Sequence, residues 1–209
     1  MTSTGFVSLV DHGIGNTGNV RNALGFLGFQ VRNICSSSDF ESPGVVVLPG
    51  VGNFEAVMSA LRVKELIQPL REYLEQDKPF VGICVGMQVL MRTSSESPRE
   101  EGFGVFDGHM LHLNELSKSA KVPSIGWKDL NYSARWDGPQ LEKAYFVHSY
   151  FVSQVGDEDV VSSYDWHGEQ IPAHVSAGRI HGFQFHPEKS RATGLLFLGQ
   201  ILEELGNSN

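Results

Sequence analysis

The chain has 209 residues, of which 41% are hydrophobic and 19% charged, and a formal net charge of −8. That length and composition suit one folded α/β domain, 1–209, and not a disordered chain, while the acidic balance argues against a general nucleic-acid or anionic-membrane binder. Two cysteines, Cys35 and Cys84, make no disulfide framework, and neither a basic leader nor an apolar run of roughly 20 residues is present, so a cytoplasmic enzyme or enzyme subunit is expected.

Residues 6–10 read as a first buried strand, followed by the loop Asp11-His12-Gly13-Ile14-Gly15-Asn16. Residues 20–29 carry apolar side chains at helical spacing. Strand, glycine loop and helix hint at a dinucleotide fold, but the third glycine is misplaced and no acid closes the second strand, so a reversing loop is the competing reading. Residues 30–35 form a plausible strand and 36–44 a polar loop. Val45-Val46-Val47-Leu48 is short, branched and apolar, as a central parallel strand requires. It stops at Pro49-Gly50-Val51-Gly52-Asn53, whose glycines leave backbone amides free to meet a ligand. Residues 54–62 and 65–74 are expected to be helical, with Pro69 in a first turn or at a kink.

Residues 80–83 are apolar and lead through Cys84 into a helix-compatible run over 85–91. Residues 93–102 read as a polar loop containing Glu96. Up to this point strands alternate with helices, which predicts a mostly parallel sheet with helices on both faces. Beyond Val105 the pattern changes to short β-like runs at 109–113, 125–130, 145–152, 160–164, 171–176 and 180–185, an antiparallel extension of the same domain. A helix over 190–205 closes the chain. No repeat, low-complexity tract or long linker divides it.

Gly82-Ile83-Cys84-Val85-Gly86 is the thiol form of a nucleophile elbow, in which glycines permit a sharp strand-to-helix turn around the sulfur. The first helical amides then favour thiolate over thiol. Read alone, the same stretch also describes a buried strand with a small apolar cysteine. Gln184-Phe185-His186-Pro187-Glu188 ends the last strand. If both strand ends reach one edge of the sheet, His186 takes the thiol proton and returns it to a leaving amine, and Glu188 fixes the ring's tautomer. A capping or solvated histidine is the plain alternative. No His-x-x-x-His or Cys-x-x-Cys spacing suggests a metal, and no cofactor is expected.

Together these two segments resemble the triad-type (class I) glutamine amidotransferases, and within them the glutaminase subunits of imidazole glycerol phosphate synthase. Residues 11–16, 48–52, 122–127 and 145–150 extend the likeness in the family's order over nearly the whole chain. The resemblance implies a class I amidotransferase (flavodoxin-like) fold and hydrolysis of L-glutamine to glutamate and ammonia. It gives Cys84, His186 and Glu188 the catalytic roles. The oxyanion would be met by the Val85 amide and by an amide of the 50–52 loop, from Val51 or Gly52, after that loop reorients. Gly50, Gln88, Glu96, His148, Ser149 and Tyr150 would line the glutamine pocket, with Gln88 and Glu96 at its amino-acid end. The implied partner is a (β/α)8-barrel cyclase in a heterodimer, with Asn16, Trp127 and Lys189 at or near the shared face. The cyclase spends the ammonia on an imidazole ring and releases a purine-pathway intermediate.

Three residues depart from the family's frequent choices: His12 where tyrosine is common, Ser124 where histidine is common, and Lys128 where asparagine is common. They leave the triad intact but bear on the partner. A paralogous pair serving surface-sugar biosynthesis, a non-catalytic binding module, and a cysteine hydrolase acting on another amide therefore stand as rival readings.

Overall fold

The computed structural model describes residues 5–14 and 17–207. In chain order its elements are β1 (Phe6–Val10), α1 (Thr17–Phe26), β2 (Gln30–Ile34), β3 (Val45–Gly50), α2 (Phe54–Val63), α3 (Ile67–Glu75), β4 (Phe80–Cys84), α4 (Val85–Gln88), β5 (Met91–Ser94) and β6 (Phe106–His112). Then come β7 (Ser124–Asp129), β8 (Asn131–Tyr132), β9 (Lys143–His148), β10 (Tyr150–Ser153), β11 (Val160–Trp166), β12 (Glu169–Ala177), β13 (Ile180–Phe183) and α5 (Arg191–Asn207).

Eight strands form the main sheet in the order β2-β1-β3-β4-β13-β12-β11-β8. The first five are parallel to one another, and β12, β11 and β8 continue antiparallel. Every residue of β3 and of β4 is buried, as central parallel strands covered on both faces must be. Leu27, just after α1, lies against Gly199 of α5, and α2 packs on α3 and α4. Strand order reverses between β1 and β3, and in open parallel sheets ligands bind outside the strand ends at such a reversal. Pro69 is the third residue of α3, in the first turn, where its missing N–H costs no helical bond.

The structure corrects three expectations. The helix expected over 85–91 lasts only four residues. The Val89 carbonyl accepts instead from Phe103 N at 2.7 Å, Gly102 N bonds Arg92 O at 2.9 Å, and residues from Met91 pair with β6. Tertiary pairing here overrides a weak helical pattern. The single run over 145–152 is two strands in different sheets: β9 pairs with β7 and β10 with β6. The C-terminal β region is accordingly an antiparallel extension of the main sheet plus a two-stranded ribbon (β7, β9) and a three-stranded sheet (β10-β6-β5). The last expected strand, 180–185, ends at Phe183; beyond it Gln184 reaches Cys84, while Phe185 packs in the core against Phe146, Phe183 and Phe197.

Candidate active site

Cys84 is the last residue of β4 and adopts φ +54°, ψ −109°, a region that costs about 1–3 kcal/mol for a residue with a side chain. Its surroundings enforce the turn. A methyl at Gly86 would collide with the Leu48 carbonyl, and one at Gly82 would meet the Gly86 backbone. The two glycines of the motif are thus required by close packing of β3, β4 and α4. Because α4 is a single turn, what acts on the sulfur is the amides of that turn rather than a long helix dipole.

Beside β4 runs β13 in parallel register, Phe183 opposite Ile83. Its continuation carries His186 and Glu188 to the same edge as Cys84. His186 Nδ1 and Glu188 Oε1 are 2.8 Å apart, and both side chains are 2% exposed. The short turn Pro187–Lys189 links base and carboxylate. Its backbone is held from outside: His186 N donates to Tyr145 O at 2.9 Å, and Ser190 Oγ donates to His186 O at 2.7 Å while accepting from Tyr145 N. Burial disfavours a charged ring at His186, but Cys84 and Glu188 outweigh it and raise the pKa to about 9. A group so poised keeps its proton at neutral pH. Among the described residues, His186 Nε2 and Glu188 Oε2 make no hydrogen bond of ordinary geometry. Nε2 is therefore free for the sulfur, or for a departing group.

The end of β3 brings the predicted oxyanion segment alongside, with Gly50 opposite Cys84. A methyl on Gly50 would lie 2.6 Å from Gly86 N, so only glycine allows this approach. Gly52 has φ +102°. Asn53 then caps α2, its Oδ1 accepting from Ala56 N at 2.7 Å. Val51, His186 and Glu188 line a cavity of about 10 Å³, room for one water at most. Val85, the first residue of α4, is buried directly behind the sulfur's residue.

Other predicted site residues are placed as follows. Gln88 is buried and donates through Nε2 to Gln184 Oε1 at 3.2 Å, while Gln184 Nε2 reaches Cys84 Sγ at 3.8 Å. Glu96 accepts from Phe54 N at 2.9 Å, at the start of α2, and its charge adds to burial in raising the Tyr150 phenol. Glu96 and Tyr150 are therefore close enough for their charges to interact. His148 is buried, with Nδ1 2.8 Å from Tyr150 O and Nε2 2.9 Å from Tyr164 Oη. Burial lowers its pKa to about 4, and the charges of His186 and Lys128 push the same way. Ser149 offers its carbonyl to Leu113 N. Trp127 is 41% exposed on β7 under the Arg191 guanidinium, 4.9 Å from its ring centre, and Ile125 beside it is 56% exposed. Lys189 ends the turn after His186. Asn16 lies outside the described residues.

Two contributors were missed by sequence reasoning. Gln184 stood inside the histidine motif without a role, and Tyr164, the hydroxyl partner of His148, had no local signal at all. Their roles depend on contacts 100 and 16 residues apart.

The model of the class-I glutamine amidotransferase family matches residues 8–198. The chain belongs to that family. The amidotransferase chain is 39% identical over 202 residues to the imidazole glycerol phosphate synthase subunit HisH of Methanopyrus kandleri, covering 94% of this chain and 96% of the relative. It is 35% identical to the subunit of the same name from Desulfitobacterium hafniense, covering 96% and 93%. It also matches the chloroplastic imidazole glycerol phosphate synthase hisHF of Arabidopsis thaliana at 36% identity, where it spans 34% of the longer protein. Among solved structures, a glutamine amidotransferase superposes with TM-score 0.73 at 18% identity, covering 95% of this chain and 99% of that one. Another, from Thermotoga maritima, gives 0.68 at 16% with full coverage of both. These two likenesses establish the fold of the amidotransferase chain.

Proposed function

We propose that this amidotransferase is the glutaminase subunit of an imidazole glycerol phosphate synthase and works through a thioester on Cys84. The observation that carries the chemistry is the buried His186–Glu188 pair, 2.8 Å apart, at the strand end adjoining the strained Cys84 turn. In the first step Cys84 Sγ attacks the side-chain amide carbon of glutamine. The negative oxygen is met by the Val85 amide and by an amide from Val51 or Gly52. His186 gives its proton to the departing nitrogen, and ammonia leaves a glutamyl thioester. His186 then takes a proton from water as it attacks, and glutamate departs with Cys84 restored. Glu188 stabilises the imidazolium in both halves.

In this reading Glu96 and Tyr150 hold the α-ammonium group, and Gln88 exchanges Gln184 for the substrate's polar end. Glycines at 50 and 52 let this segment reorient to meet the oxyanion when the partner binds, as an enzyme silent without its partner needs. Ammonia passes to a (β/α)8-barrel cyclase that docks over Ile125, Trp127 and Lys189. The names of the relatives support the histidine-pathway partner. So does the strand geometry: Ser124 and Lys128 alternate inward on β7, Ser124 buried and Lys128 over the Tyr164 and Trp166 rings, whereas Ile125 and Trp127 form the outward row. Two of the three departures from the family pattern therefore leave the outward residues unchanged.

The test is glutamate release by the chain alone, then with a histidine-pathway cyclase subunit and its nucleotide substrate. Low basal turnover and a large gain are expected, with Trp127→Ala weakening the complex about tenfold or more at unchanged melting temperature. Full activity without any partner, or no gain with this one, would send the assignment to another amide or to another barrel.

A further inference from the structure

The β1 end and the β3 end meet at the strand-order reversal, and one side chain spans them. His12, only 3% exposed, places Nε2 2.8 Å from the Pro49 carbonyl oxygen. Its Nδ1 accepts from Ile14 N at 3.3 Å. A carbonyl can only accept and a backbone N–H can only donate, so the two bonds together fix a neutral ring protonated on Nε2. Burial works in the same direction by lowering the pKa. The loop carrying His12 is itself tied down: Lys64 Nζ donates to Asp11 O at 2.6 Å, and Asp11 Oδ1 accepts from Gly13 N. Ile14 continues to Gly52, with its Cγ2 within 3.9 Å of a methyl built there.

The Pro49 carbonyl belongs to the peptide that ends in Gly50 N. That peptide is trans, since the one cis bond among the described residues is Val122-Pro123. Strand β3 lies between β1 and β4. A carbonyl held toward the β1 side turns Gly50 N–H the other way, toward Cys84, because the peptide is planar. Rotation in this segment is then left to the glycine-flanked peptides that follow.

We propose that His12 is a positioning residue for glutamine hydrolysis: it anchors the Pro49–Gly50 peptide as the fixed end of the oxyanion hinge, so that the Val51 or Gly52 amide swings to one place. The inference rests on the glutaminase reading above. His12 touches no substrate atom and acts only through the backbone. Without the anchor two more torsions open, and the donor misses the developing oxyanion in part of the population. Small misplacements of such donors cost rate steeply.

The experiment compares wild type, His12→Leu and His12→Gln, each in complex with the cyclase. Glutamine replaces the ring Nε2–H with an amide N–H at similar reach, and leucine removes the donor. His12→Leu is expected to lower kcat about tenfold, with KM for glutamine within twofold. Alkylation of Cys84 by iodoacetamide, which needs no oxyanion donor, should also stay within twofold. His12→Gln should recover most of the loss. Should His12→Leu fail to fold, His12→Asn, whose amide falls short of Pro49, takes its place with the same expectation. Unchanged kcat, a parallel fall in alkylation, or no recovery in His12→Gln would overturn the proposal. A wild-type complex inactive on glutamine would instead overturn the glutaminase reading.

Discussion

Glu188 holds His186 Nδ1 with one carboxylate oxygen, and both side chains are sealed from water. Replacing Glu188 by glutamine keeps the shape and removes the charge. His186, held up at about 9 partly by that charge, should then lose its proton at lower pH. We expect kcat to fall by about a hundredfold or more, and the alkaline limb of the rate profile to move toward neutrality. A pH–rate series on the partner-bound complex measures both. At this scale the sequence was explicit about Cys84, His186 and Glu188, because each lies in a short motif whose residues contact one another or the elbow. It was silent on Gln184 and Tyr164, whose roles appear only when β4, β13 and β11 are assembled.

The elbow is the element that ties these residues together. Gly86 faces the Leu48 carbonyl across β3 with no room for a methyl, and that oxygen belongs to fixed backbone. Gly86→Ala should therefore destabilise the chain by about 3 kcal/mol or more, or prevent folding, as overpacking against an immobile neighbour does. Urea unfolding measures this. Gly25, where no atom lies within reach of an added methyl, is the control: alanine there should cost nothing and fits its position inside α1 better than glycine. Element types were legible where period and length agreed, as in β3, β4 and α2. They failed over 85–91, where an apolar run gave no sign that Phe103 would take the Val89 carbonyl.

For the whole molecule, buried histidines decide the response to acid. His148 and His181 are each lowered to about 4 by burial, and His174, which pairs with His181 at 3.0 Å, is likewise pushed well below the usual histidine value by burial and by His181. The unfolded chain binds protons on these rings near pH 6.5 while the folded one does not, so stability rises with pH between about 4 and 6.5. His186 has the opposite sign: its contribution is present below 6.5 and fades as pH rises through about 9. Unfolding free energy should thus be highest near pH 6.5 and fall on acidification toward pH 4. Chemical denaturation across that range, with His181→Gln giving a shallower acid slope, is the check. At this scale the parallel half of the sheet was readable from its alternation of strand and helix. The partition of the later strands was not, because short alternating runs fix which face is buried but not which neighbour pairs.

All of the proposed chemistry passes through one sulfur. Glutamate release by the cyclase-bound complex should fall by a factor of about a thousand or more in Cys84→Ala, while the variant still folds and binds the cyclase. Release at the wild-type rate from Cys84→Ala would contradict the thioester mechanism.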